Sequence, residues 1–277
     1  MVSGMESNGT AGSGAPFIKA CGITRPEDGL AACAAGFTAV GFVFAPGPRQ
    51  VHPDRAREIC SRLPASVLRV GVFLHQDEDE VREIAAFCSL DLVQLHGPSR
   101  DLAPRFADKA IPSLQPRTGA DLEALEDYRG AYAVLLDTWD PKLPGGTGRV
   151  GDWDLAAEAA RRCRVILAGG LNPANVAEAV FRVCPFGIDV SSGVETAPGI
   201  KDPARLRDFA AAARVAFEGS CYPARGGRTK GRAQGLGDPS RAGFSSPNRY
   251  PFTCPASYGK RWNEPEETER GRKPWNS

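Results

Sequence analysis

A thiol and a carboxylate each end an apolar run in this chain. They are Cys21 in Lys19-Ala20-Cys21-Gly22-Ile23-Thr24 and Asp137 in Val134-Leu135-Leu136-Asp137-Thr138. At a strand end, a thiol followed by glycine suits a base or nucleophile; the alternative is a small buried hydrophobe. An ordinary thiol pKa near ~8.5 leaves little thiolate at neutral pH, so catalysis calls for a nearby positive charge. Lys19, two residues back, shares the strand face. Asp137 suits acid–base work or the capping of a helix or loop. The loop beyond it, Pro144-Gly145-Gly146-Thr147-Gly148, suits a mobile cover or a close backbone approach to a ligand, or is connector slack. His96 closes Val93-Gln94-Leu95-His96-Gly97, as a ligand contact or a hydrogen-bonded structural group. No second His or carboxylate accompanies it at metal-ligand spacing, so no metal site is expected. Arg49 follows Pro46-Gly47-Pro48. It either presents a fork to a carboxylate or is a solvated surface residue. Gln76 completes the polar residues at strand ends.

Two further segments pair an apolar strand with small residues. They are Val165-Ile166-Leu167-Ala168-Gly169-Gly170-Leu171-Asn172-Pro173 and Gly187-Ile188-Asp189-Val190-Ser191-Ser192-Gly193-Val194-Glu195. Small residues before or at a helix start let backbone N–H groups cradle a phosphate, and the helix end adds favourable partial charge. Two such turns after the last two strands of a βα series form the usual phosphate grip of a (β/α)₈ barrel.

Eight strands are expected to carry these residues: 17–20, 39–44, 68–74, 92–95, 109–114, 132–136, 165–168 and 187–190. Helical patterns separate them, such as Val81, Ile84, Ala85 and Cys88, or Leu206, Phe209, Ala210 and Ala213. Thr24-x-x-Glu27 has the spacing of a capping box, and Asn172-Pro173 and Asp202-Pro203 place a cap before proline. The alternation predicts an α/β fold, a single TIM barrel over 16–218. A doubly wound open sheet would place its phosphate loop after the first strand instead. Residues 1–15 are predicted to be a flexible leader. Residues 219–277, rich in Gly, Pro and Arg, are predicted to be a disordered tail.

The 277 residues carry a net charge of +1 and are 42% hydrophobic. The charge is uneven: residues 219–277 hold 11 basic and 5 acidic side chains. Arg225-Gly226, Gly231-Arg232 and Arg270-Gly271 lack interleaved aromatic residues, so no nucleic-acid partner is expected. No run of 18 apolar residues predicts a membrane span, and the first 15 residues lack the features of a secretory signal. Eight cysteines without a C-x-x-C pair fit reduced thiols in a cytoplasmic protein.

Taken together, these segments resemble phosphoribosylanthranilate isomerase of tryptophan biosynthesis. The matching stretches are 19–28 (KACGITRPED), 40–44 (VGFVF), 70–77 (VGVFLHQD), 93–97 (VQLHG), 135–138 with 144–148 (LLDT, PGGTG), 152–153 (DW), 166–175 (ILAGGLNPAN) and 189–202 (DVSSGVETAPGIKD). The resemblance implies an Amadori rearrangement of a small phosphorylated substrate without metal or cofactor. It makes Cys21 the base and Asp137 the acid, and sets the phosphate on Gly169, Gly170, Ser192 and Gly193. Arg49 then holds the anthranilate carboxylate, with His96 and Asp189 as polar contacts. The expected assembly is a monomer or weak homodimer. The chain departs from the family at Ala20, where a bulkier aliphatic is usual, in a loop 45–49 one residue short, and at Pro112 within the fifth strand. Two alternatives are the histidine-pathway phosphoribosyl isomerase, which uses an Asp where Cys21 stands, and an idle phosphate-binding barrel.

Overall fold

The computed structural model describes residues 15–137 and 152–220. The leader, the Pro144–Gly148 loop and nearly all of the tail therefore lie outside the described residues. Eight parallel strands close into a barrel in chain order: β1 (Phe17–Cys21), β2 (Ala39–Val43), β3 (Leu68–Phe73), β4 (Leu92–Leu95), β5 (Ala110–Leu114), β6 (Val134–Asp137), β7 (Val165–Ala168) and β8 (Gly187–Val190). Register pairs Phe17 with Gly187 and Lys19 with Asp189, closing the ring. Cys21 and Asp137 are each the last residue of their strand.

Strand alternation sorts the barrel interior into layers. The lowest is apolar and includes Phe17, Ala39, Leu92, Tyr132 and Ile166. Above it lies a buried polar layer of Lys19, Gln94, Ser113 and Asp189. Two residues further along the same strands come Cys21, over Lys19, and His96, over Gln94. A larger core seals the outside of the sheet against the helices.

The helices are α1 (Pro26–Ala35), α2 (Pro53–Arg62), α3 (Glu78–Phe87), α4 (Ala103–Phe106), α5 (Trp153–Arg162), α6 (Val176–Val183) and α7 (Pro203–Ser220). Asp77 and Glu80 close a capping box on α3. Asp202 accepts from the N–H groups of Ala204 and Arg205 at the start of α7. Two expected caps differ. Thr24 does not cap α1; Arg25 is the N-cap residue, without a side-chain bond, and the Thr24 hydroxyl donates to Gly199 O instead. Asn172-Pro173 forms a turn ahead of α6, and Asn175 occupies the cap position. The β5–β6 connection is a 3-10 helix, Gly119–Tyr128. Its buried Leu122 and Leu125 lie three apart, a spacing that a 3-10 helix stacks on one face. Pro112 is accommodated within β5, opposite Leu95, while the β6 register begins one residue later at Ser113. None of the described helices is long and apolar enough to cross a membrane.

Candidate active site

The site residues expected from sequence lie at the end of the barrel where the strands terminate, except Asp189, which sits within β8 in the buried layer below. Cys21 ends β1, His96 follows β4, Asp137 ends β6, Gly169-Gly170 follow β7, and Ser191-Ser192-Gly193 follow β8. Arg49, from the loop after β2, crosses Gly22. A Cβ on Gly22 would come within 2.7 Å of Arg49 Cδ, and Gly22 has φ +79°. The glycine after the thiol therefore admits the arginine beside it.

Cys21 is buried, and burial pushes its thiol up; Lys19 and Lys201 oppose this, and Asp189 adds to it. The site therefore holds a thiol at neutral pH. Lys19 Nζ lies 2.9 Å from Asp189 Oδ1 in the barrel interior, although neither atom has an aligned hydrogen bond there. Burial works against the ammonium, yet Asp189 and Cys21 outweigh it and its pKa is raised. A Cβ on Gly41 of β2 would stand 2.9 Å from Lys19 Cε and 3.0 Å from Cys21 Sγ. That glycine opens the space in which the ammonium approaches the thiol.

Asp137 Oδ2 accepts from Gln115 Nε2 at 3.2 Å. Burial pushes this carboxyl up; Gln115 opposes and Asp189 adds. A carboxyl with raised affinity for its proton is suited to donate it. His96 shares a 2.6 Å hydrogen bond with Gln94. Burial, then Lys19, push its pKa down to about 4, so the imidazole is neutral at physiological pH. Gln76 serves as a brace: it accepts from Leu74 N and donates to Phe44 O.

The two small-residue turns interlock. Gly169 and Gly170 have φ +90° and +65°, values open to glycine at little cost. The side-chain amides of Asn172 and Asn175 donate to Gly170 O. Beyond β8 comes a single 3-10 turn, Ser192–Val194, rather than a full helix start. A Cβ on Gly193 would fall well inside contact distance of Leu171 O. Gly193→Ala must therefore part the two turns. We expect KM to rise by at least ~10-fold with kcat less affected, as when binding common to ground and transition states is lost. Steady-state kinetics check this, and an unchanged KM refutes it.

Gln94, Gln115, Glu195 and Lys201 were not singled out from sequence. Gln94 had a signal, its two-residue spacing from His96 on one strand face. Glu195 and Lys201 had none, because their partners Arg49 and Cys21 lie 146 and 180 residues away.

Comparison with known proteins gives consistent results. Residues 18–212 match the family described as N-(5'phosphoribosyl)anthranilate (PRA) isomerase. An N-(5'-phosphoribosyl)anthranilate isomerase of Syntrophus aciditrophicus is 48% identical over 200 residues, 71% of this chain and 86% of that protein. One from Desulforudis audaxviator is 48% identical over 204 residues, 73% of this chain and 99% of its own length. The crystal structure of phosphoribosyl anthranilate isomerase from Thermotoga maritima superposes with a TM-score of 0.66 at 38% identity, covering 73% of this chain and all of that one. A phosphoribosyl anthranilate isomerase in complex with reduced 1-(o-carboxyphenylamino)-1-deoxyribulose 5-phosphate gives 0.63 at 38%, with the same two coverages.

Proposed function

We infer the role of each residue from one premise: the chain belongs to the N-(5′-phosphoribosyl)anthranilate isomerase family. Its reaction converts N-(5-phosphoribosyl)anthranilate to 1-(2-carboxyphenylamino)-1-deoxyribulose 5-phosphate in tryptophan biosynthesis. The residue roles rest on one observation. Cys21 and Asp137 end strands separated by β7 and β8, and the loops of those two strands form the interlocked turns. A sugar phosphate gripped by the turns has a thiol on one side and a carboxyl on the other.

The Asp137 carboxyl gives its proton to the ribose ring oxygen, and the C1′–O bond opens to an iminium. The Cys21 thiolate then removes the proton from C2′, giving an enolamine. That collapses to the ketone as C1′ gains a proton and the C2′ hydroxyl loses one. C2′ is oxidised and C1′ reduced to the same extent, so no external electron acceptor enters. Gly169, Gly170, Ser192 and Gly193 take the phosphate through backbone N–H groups. Arg49 takes the anthranilate carboxylate, and His96 and Asp189 line the floor between. The Cys at the end of β1 favours this reaction over the histidine-pathway isomerisation, and the pair Cys21 and Asp137 favours catalysis over mere binding. Incubating the pure protein with phosphoribosylanthranilate should abolish the substrate's fluorescence; persistent fluorescence at high enzyme concentration would overturn the reading.

We assign catalysis to residues 16–218 and none to 1–15 or 219–277. The family match supports this, since it covers residues 18–212. Truncation after Glu218 should leave kcat and the thermal midpoint unchanged. Loss of soluble protein would show that the tail belongs to the folded unit. We place the enzyme in the cytoplasm, with its biosynthetic reaction. For its assembly we propose a monomer or weak homodimer; one structural relative from Thermotoga maritima is described as a dimer from which monomers were generated.

A further inference from the structure

Beyond β8 the chain forms a small hairpin, β9 (Glu195–Ala197) and β10 (Ile200–Lys201). It carries two buried charges, Glu195 and Lys201. The Glu195 carboxylate accepts from Arg49 Nε at 3.0 and 3.1 Å, from Arg49 Nη2 at 2.7 Å, from Lys201 Nζ at 2.7 Å and from Gly199 N at 3.3 Å. Lys201 Nζ also donates to Cys21 O at 2.5 Å and Ser191 O at 3.3 Å. Its backbone N–H donates to Asp28 Oδ2, the same carboxylate that Arg25 holds. One hairpin therefore joins the end of β1, the loop after β2 and the loop after β8.

Three features separate this cluster from a fold-holding ion pair. Buried charges are expensive to desolvate and contribute little net stability against apolar replacements. The cluster is also unbalanced, with two cations on one carboxylate. Finally, the carboxylate engages Arg49 with the fork edge of Nε and Nη2, leaving Nη1 outside the bidentate pair. A fork held on one side by a fixed carboxylate is pre-aimed, which spares the ordering cost when a ligand carboxylate arrives.

We propose that Glu195 is the positioning residue for Arg49: it holds the guanidinium aimed at the substrate carboxylate and, through Lys201, keeps that aim in register with Cys21 and the phosphate loop. This rests on the assignment of Arg49 to the anthranilate carboxylate. Glu195 touches no reacting atom, so its loss should weaken binding of the carboxylate-bearing ring more than it slows chemistry.

The test is a double-mutant cycle on the intact chain, with the reduced product analogue 1-(o-carboxyphenylamino)-1-deoxyribulose 5-phosphate as probe. E195Q should weaken its binding, and raise KM, by at least ~10-fold, the lower end for a charge-assisted hydrogen bond, with kcat within about threefold. R49M should weaken analogue binding at least as much. E195Q added to R49M should cost little more, because an effect carried through Arg49 disappears with it. A merely structural glutamate would instead add fully to R49M. Full additivity, or unchanged analogue binding in E195Q, overturns the proposal. If E195Q does not fold, R49K decides: lysine keeps the charge but cannot make the fork with Glu195, and unchanged binding there also overturns it. A wild-type enzyme that neither binds the analogue nor consumes substrate would be a failure of the functional assignment, and so is distinguishable.

Discussion

Cys21→Ser lowers kcat by at least ~10²-fold while the fold stays intact, the loss expected when a general base is removed. The two side chains are close in size, so the packing around position 21 is kept. The chemistry is not. A hydroxyl at this site would have to ionise against the same burial that already pushes the thiol up, from a far higher starting pKa. Lys19 and Lys201, the cations that favour an anion at Cys21, cannot recover that difference. KM should change little, because the phosphate turns and Arg49 are untouched. Stopped-time assays of purified C21S with circular dichroism alongside decide the matter. A variant of wild-type kcat would remove Cys21 from the mechanism.

Much of this arrangement was legible in the sequence because it depends on short-range pattern. Strand alternation puts Lys19 beneath Cys21 and Gln94 beneath His96, and the interior layers confirm that facing. The order of apolar strands, and the glycines after the last two, sufficed for the barrel. The β4, β7 and β8 boundaries coincide with expectation. Cap motifs were less dependable. Thr24 has the spacing of a capping box, yet its hydroxyl is claimed by Gly199, 175 residues away. The charge on Glu195 gave no clue for the same reason, since its two cationic partners arrive from elsewhere in the chain or across a hairpin turn. Arg49 shows the limit most clearly. Its candidacy as a carboxylate fork could be read from a Pro/Gly-built loop, but not that a buried glutamate already grips half of that fork.

Asp137→Asn should cost at least ~10²-fold in kcat, as for any lost general acid, and should also change the shape of the pH profile. In the proposed mechanism the productive state has Cys21 deprotonated and Asp137 protonated. Burial raises both groups from their ordinary values, and a thiol starts far above a carboxyl. The productive state is therefore a minor one across the neutral range. For such a pair kcat/KM rises with pH up to the carboxyl's apparent pKa, stays level, and falls above that of the thiol. The alkaline fall arises because further deprotonation of the thiol no longer compensates for the vanishing carboxylic acid. The carboxamide of D137N cannot titrate, so in this variant kcat/KM should keep rising until the Cys21 thiol has ionised and then stay level. The alkaline side is compared between wild type and variant: His96, pushed down to about 4, titrates only in acid, Lys19 is held protonated by Asp189 and Cys21, and Lys201, which burial lowers against the pull of Glu195, is common to both proteins. The carboxamide oxygen can still accept from Gln115, so the local hydrogen bond survives and the change reports the proton rather than the packing. If the variant keeps a bell-shaped profile and wild-type kcat, the acid is some other group. If it loses activity but keeps the alkaline fall, Asp137 orients the substrate without donating the proton.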